Sequence, residues 1–252
     1  MDAIFVAGTA GSGKSLLTSA LRDWYVRKST NVVTLNLDPG VLNLPYQPDI
    51  DIRDMIDFEE IMQSYKLGPN GALILATDLI ATRLSEIQDQ LESTKADYVI
   101  VDTAGQTELF AFRESGSYIV RELSGDSKIL LFLIDPLLAN TPNNFLSLTL
   151  LSASVALRLN IPRISVLTKK DISPEKSERI LQWSKNVTTF EEDLGKSKDG
   201  DAYSLYSDLF RTLRRTSFGV DLYPISSVTQ EGFIAVVGEI SRLAQGGEEI
   251  TD

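Results

Sequence analysis

The chain has 252 residues, 43% of them hydrophobic and 23% charged, with a net charge of −11 and neither cysteine nor histidine. Such a composition belongs to a globular protein able to bury a sizeable core. It excludes disulfides, thiol chemistry and Cys/His zinc sites, and its acidic balance argues against nucleic acid or an anionic membrane as a partner. Any chemistry must run on carboxylates, lysine, hydroxyls, amides, backbone groups and metal. The start of the chain lacks the basic segment of a signal peptide, and the greasiest run, Ile129 to Ile134, is far too short to span a bilayer, so a cytoplasmic protein is expected.

The first apolar run, Ala3–Ala7, reads as a strand, and Lys14 to Lys28 has helical spacing. Between them lies Gly8-Thr-Ala-Gly-Ser-Gly-Lys-Ser15, which fits the phosphate-loop pattern of a glycine, four residues, then Gly-Lys-Ser or Gly-Lys-Thr. In that pattern the backbone N–H groups of Gly11, Ser12, Gly13, Lys14, Ser15 and Leu16 face phosphate oxygens, and a helix N-terminus adds its dipole. Lys14 would reach the outer phosphates and the Ser15 hydroxyl would ligate Mg²⁺. A chance glycine-rich turn is the rival, but strand, loop and helix supply the context that the motif requires.

A second strand, Asn31–Leu37, leads into Asp38-Pro39-Gly40, a segment expected beside the phosphate loop. As a turn it needs no further explanation. As chemistry, Asp38 would hold the attacking water or a magnesium-bound water. Gly71 to Ser93 reads as one long amphipathic helix. The third strand, Asp97–Val101, ends in Asp102-Thr-Ala-Gly-Gln106. A carboxylate closing an apolar strand is suited to Mg²⁺ opposite Ser15; Gly105 would offer its N–H to a γ-phosphate, and Gln106 would orient water.

Lys128–Ile134 is a fourth strand, and Thr141 caps a helix over Pro142–Leu159 with proline at its first position. After the fifth strand, Arg163–Leu167, comes Thr168-Lys169-Lys170-Asp171. A carboxylate at Asp171 would accept from the N1–H and amine of guanine together, while adenine would oppose it with an acceptor. The stem of Lys169 would cover the base. The competing reading makes Asp171 a cap for the helix opening at Ser173-Pro174. Ser226-Ser227 follows a sixth strand, Asp221–Ile225, where the Ser227 region could meet the guanine O6 or simply turn the chain. Leu194 to Asp201 is expected as a mobile loop and Gly246 to Asp252 as a frayed acidic tail.

Alternating strands and helices predict an α/β fold: a doubly wound, mainly parallel sheet with helices on both faces, the P-loop NTPase fold. One domain is expected over residues 1–252, with a helical insertion at about 174–217.

Taken together the motifs resemble the GPN-loop GTPases, a branch of the SIMIBI class of P-loop proteins, in their archaeal homodimeric form. The specific segments are Leu44-Pro45-Tyr46, then Pro48-Asp49-Ile50-Asp51-Ile52-Arg53, then Leu67-Gly68-Pro69-Asn70-Gly71. The resemblance covers nearly the whole chain. It implies Mg²⁺-dependent binding of GTP and GDP, GTP hydrolysis, and a homodimer in which the Gly68-Pro69-Asn70 loop completes the partner's site, with Asn70 near the γ-phosphate. It also implies an assembly or chaperone-like role, with clients such as RNA polymerase assembly components. Two departures are Ala104, where the family usually has proline, and Gly40, where it usually has alanine. Thr9 and Ala10 stand where related dimeric ATPases carry a signature lysine. Lys14, Asp38, Gln106 and Asn70 are the candidate catalytic residues, and Ser15, Asp102 and Asp38 the candidate metal residues. Asp38 and Gln106 remain unranked as the group orienting water. The alternative is a P-loop kinase or ATPase acting on a small substrate, for which Arg211, Arg214 and Arg215 are the nearest lid candidate.

Overall fold

A computed structural model describes residues 1–196, 202–216 and 221–246. Among them seven strands form one sheet: β1 (Asp2–Gly8), β2 (Val32–Asn36), β3 (Ile50–Asp51), β4 (Tyr98–Asp102), β5 (Lys128–Ile134), β6 (Arg163–Leu167) and β7 (Tyr223–Pro224). Their spatial order is β3-β2-β4-β1-β5-β6-β7, and every pairing is parallel. β1 sits at the centre because both its faces are apolar. Ala3, Phe5 and Ala7 point into one core, while Ile4 and Val6 point into the other, the two-residue alternation of a strand covered on both sides.

Helices α1 (Lys14–Arg27) and α11 (Phe233–Ala244) cover the Ile4 face. The Phe5 face is covered by α3 (Pro69–Thr82), α4 (Leu84–Thr94), α6 (Glu114–Glu122) and α7 (Pro142–Leu159). Since all strands run the same way, their C-terminal ends share one edge. The chain order reverses about β1, which pairs with β4 on one side and β5 on the other. Ligand crevices of doubly wound sheets form at that reversal.

The expected strands are present, with differences at the margins. β3 escapes a pattern search because it is two residues long. The last strand is shorter than Asp221–Ile225, and Pro224, which has no N–H, is tolerated there because β7 is at the sheet edge. The second strand is not next to the phosphate-loop strand: β4 lies between them. The span Gly71 to Ser93 is two helices rather than one. The chain breaks at Arg83, whose N–H bonds back to Ile80 at 3.0 Å while its carbonyl starts the next helix through Glu86 and Ile87. Thr82 contributes by turning its hydroxyl onto Leu79 O at 2.7 Å, a local bond that competes with helix continuation.

Pro142–Leu159 forms as expected, with the Thr141 hydroxyl accepting from Asn144 N at 3.2 Å. Between residues 174 and 217 lie α8 (Pro174–Lys185), α9 (Val187–Gly195) and α10 (Tyr203–Arg215). Phe190 and Phe210 stack at 3.9 Å between ring centres, and Phe145 of α7 tilts against Phe210 at 6.2 Å. Leu194, expected to open a loop, is 2% exposed in the last turn of α9. The remainder of that expected loop, 197–201, and the tail 247–252 lie outside the described residues. No helix among the described residues is long and apolar enough to cross a membrane.

Candidate functional site

The phosphate loop turns sharply as it leaves β1. Gly8, Gly11 and Gly13 have φ of 151°, 73° and 98°. A Cβ at Gly8 would stand 2.7 Å from Leu133 O, so glycine is required there both for its angle and for its contact with β5. Lys14 is buried, and its Nζ donates to Gly8 O at 2.9 Å, Thr9 O at 3.1 Å and Gly105 O at 3.1 Å. Burial lowers its pKa, opposed by the charges of Asp102, Asp38 and Glu108. All three donors of the ammonium are thus directed at backbone oxygens. Thr107, which no motif singled out, fastens the loop from behind: its hydroxyl donates to Gly8 O at 2.6 Å and accepts from Gly8 N at 2.9 Å.

Asp102 closes β4 with its side chain 1% exposed. Burial pushes its carboxyl up to about 6, against the opposing pull of the Ser15 and Tyr46 hydroxyls and the Lys14 charge. Tyr46 Oη donates to Asp102 Oδ2 at 3.1 Å, while the buried Oδ1 has no hydrogen-bond partner. An orphaned carboxylate oxygen beside a serine hydroxyl fits a divalent cation. Among the described residues no three Asp or Glu side chains gather to hold a metal by themselves. One buried carboxylate with a serine hydroxyl is a donor set that suits Mg²⁺, which commonly takes one or two carboxylates and completes its shell with phosphate and water.

Asp38 faces this pair from the β2 side. Its Oδ1 accepts from Gly40 N at 3.0 Å and its Oδ2 from Gly105 N at 2.9 Å. The Gly105 N–H, expected for a γ-phosphate, is thus bonded to Asp38. The segment carrying Asp38 is braced by Asn36 together with Asp51 and Arg53 of the Asp-Ile-Arg segment. Asn36, fully buried, accepts from Asp38 N at 3.0 Å and donates to Asp51 Oδ1 at 2.9 Å. Arg53 grips Asp51 through Nε at 3.0 Å and Nη2 at 2.6 Å, and donates Nη1 to Val41 O at 3.0 Å. The Asp-Ile-Arg segment is a polar frame for the loop between β2 and β3.

Gln106, exposed at the start of α5 (Thr107–Ala111), donates Nε2 to Asn70 Oδ1 at 3.1 Å. Asn70 is the second residue of α3, exposed after Gly68 and Pro69. Within one chain, therefore, the Gly-Pro-Asn turn stands at the rim of that chain's own site.

On the other side of the loop, Thr168 Oγ1 donates to Ser12 O at 3.0 Å and Lys169 Nζ to Gly11 O at 2.7 Å. Lys169 sits at φ 55°, held by bonds from Ile172 N and Ser173 N to its carbonyl. Its ammonium also pairs with Asp135 Oδ2 at 2.7 Å. Asp135 had the same signal as Asp102, a carboxylate ending an apolar strand, and sequence reading missed it. Asp171 is exposed at the rim, and Ser227 is half-buried in the turn after β7, where Gln230 N bonds to Ser226 O at 2.8 Å. Leu16 is 43% exposed at the mouth of the loop. Two of the three arginines are engaged elsewhere: Arg211 pairs with Glu191 at 2.7 Å and Arg214 Nη1 donates to Ser184 O at 2.9 Å. These bonds fasten α10 to its neighbours.

The sheet order, phosphate loop and strand-ending Asp102 define a P-loop NTPase fold. Comparison with known proteins narrows this. A family described as "Conserved hypothetical ATP binding protein" matches residues 6–246. GPN-loop GTPase 1 of Schizosaccharomyces pombe is 33% identical over 91% of this chain, which spans 65% of that relative's length. The GPN-loop GTPase PAB0955 of Pyrococcus abyssi is 33% identical over 92% of this chain and 93% of its own. The crystal structure of PAB0955, described as a GTPase in apo form, superposes with a TM-score of 0.82 over 97% of this chain and 96% of that one. The chain belongs to the GPN-loop GTPase family.

Proposed function

We propose that the chain binds a guanine nucleotide with Mg²⁺ along the C-terminal edge of the sheet and hydrolyses GTP. The observation carrying this reading is the clamp of the base-side segment onto the phosphate loop, Thr168 to Ser12 and Lys169 to Gly11. The clamp ties the segment bearing Asp171 to the loop that would hold the phosphates. The relatives are GPN-loop GTPases by name, which favours GTP, and a carboxylate at the base position favours guanine over adenine, each charge-assisted bond contributing about 1.5–3 kcal/mol.

In this reading phosphate oxygens replace the backbone carbonyls around Lys14, whose charge then opposes the negative charge developing in transfer. Ser15 and Asp102 would hold Mg²⁺, which when bound would neutralise phosphate charge. Asp38 is already oriented by two backbone N–H groups and serves as the residue that holds the attacking water, with Gln106 in a supporting place. Exchange of the Gly105 N–H from Asp38 to a γ-phosphate gives two loop states that a protein client can read.

A second arrangement concerns Asn70. The resemblance implies a homodimer with Asn70 acting in the partner's site, whereas its bond to Gln106 favours a role in its own. Mixing Lys14→Ala with Asn70→Ala subunits separates the two. Restored turnover in confirmed heterodimers supports the partner role; no restoration supports the own-site role. The main reading is tested by calorimetry and phosphate release with GTP, GDP and ATP, with and without Mg²⁺. Binding and turnover confined to guanine nucleotides support it; no heat with either GTP or GDP overturns it.

A further inference from the structure

The loop between β2 and β3 sends one side chain into the proposed metal site. Tyr46 is flanked by the exposed Pro45 and Gln47, yet its hydroxyl reaches Asp102 Oδ2 at 3.1 Å. The carboxylate is 1% exposed, and its other oxygen has no partner. A donor on one oxygen restricts the rotation of this buried carboxylate and leaves Oδ1 to accept from other groups. The chemical type of the donor matters. Lysine or arginine at this position would repel a cation two bonds away, whereas a phenol satisfies Oδ2 without adding charge.

We propose that Tyr46 is a positioning residue for the proposed metal carboxylate: by holding Asp102 Oδ2 it keeps Oδ1 as the oxygen available to Mg²⁺ or its bound water. This rests on the magnesium-nucleotide reading above. Arg53 ties the two ends of the loop that presents Tyr46, bonding to Val41 O on one side and Asp51 on the other. Tyr46 thereby links this exposed excursion to the cation.

Tyr46→Phe removes the donor and keeps the ring. The experiment is calorimetric titration with GDP across a Mg²⁺ series and in EDTA, with thermal melting in EDTA alongside. The Mg²⁺ concentration that half-restores tight binding is expected to rise about tenfold, the size of one charge-assisted hydrogen bond. Binding in EDTA is expected to stay at the wild-type level, while melting in EDTA falls by a few degrees because the buried Oδ2 loses its donor. In an Asp102→Ala background, Tyr46→Phe is expected to add nothing, since its effect passes through that carboxylate.

An unchanged Mg²⁺ dependence overturns the assignment, as does an equal loss of binding in EDTA or an additive effect on top of Asp102→Ala. If wild-type GDP binding is itself indifferent to Mg²⁺, the metal part of the proposed function falls and this inference with it. A magnesium-dependent wild type with an indifferent Tyr46→Phe removes only the role of Tyr46.

Discussion

The peptide group of Gly105 is held from both sides: Asp38 Oδ2 accepts its N–H at 2.9 Å, and Lys14 Nζ donates to its carbonyl at 3.1 Å. A phosphate that takes this N–H would release it from Asp38, and one that takes Lys14 would displace at least one of its three carbonyls. Asp38 and Lys14 would then respond to the same ligand through this loop.

That arrangement ranks the two water-orienting candidates. Asp38 would keep the Gly40 N–H on Oδ1 when Gly105 turns to phosphate, which frees Oδ2 for water, whereas Gln106 is exposed and bonded to Asn70. Asp38→Asn is expected to lower kcat for GTP about a hundredfold or more, with GDP affinity nearly unchanged. Gln106→Ala is expected to cost less than about tenfold. Single-turnover phosphate release and calorimetry check both, and the reverse ranking would refute the assignment.

Asp171→Asn replaces an acceptor with an amide that donates where the guanine N1–H also donates. GTP binding is expected to weaken by about a hundredfold, the value of two lost charge-assisted bonds at the lower end of their range. Xanthine nucleotide is expected to bind better to the variant than to the parent. Unaltered base preference in competition titrations would contradict guanine recognition by Asp171.

Removing the carboxylate at Asp135 leaves the Lys169 ammonium with Gly11 O but without its counter-charge, which is only 6% exposed. It also removes the acceptor of a bond from Leu137 N at 2.8 Å. Asp135→Ala is expected to cost about 1–3 kcal/mol, discounted because Lys169 remains partly solvated, and to weaken nucleotide binding by loosening the clamp on Gly11. Urea melts and GDP titration read the two effects separately.

Gly40→Ala installs the residue usual in the family. Its Cβ would lie 3.4 Å from Phe58 Cε1 and 3.6 Å from Asp38 Oδ1, near contact with a ring able to yield slightly. Reduced freedom of the unfolded chain should then stabilise by about 0.4–1 kcal/mol, raising Tm by about 2 °C. A lower Tm would mean that the Phe58 ring cannot move aside.

Burial alone would raise the Asp51 carboxyl, but bonds from Arg53 and Asn36 bring it below its ordinary value of 3.8. A carboxylate with a depressed folded pKa contributes stability above its unfolded pKa and loses it as pH falls through the folded one. The melting difference between wild type and Asp51→Asn is therefore expected to be full at pH 6 and to shrink below about pH 4. A difference that persists to pH 2 would exclude the ion pair as its source.

Much of this edge of the sheet was legible in the sequence because its strands are uninterrupted apolar runs ending in polar residues. Lys14, Ser15, Asp102, Thr168 and Lys169 each follow such a run. What escaped came from two sources. β3 and the break at Arg83 are set by tertiary neighbours and local capping, which a periodic pattern averages away. Tyr46, Asn36 and Thr107 act through contacts with segments 56, 15 and 99 residues distant, and nothing local to them signals those partners. Asp135 was the avoidable omission.

β4 lies directly between β1 and β2, with Val6 opposite Asp102 and Asn36 opposite the same residue. The spacing from phosphate loop to Asp102 to the Asp38 loop is thus measured out in rungs of backbone ladder, about 4.8 Å each. Flexing at the surface can reroute hydrogen bonds without stretching that ruler. Mutations that soften outlying helices should consequently tax the timing of this machine long before they blur its dimensions.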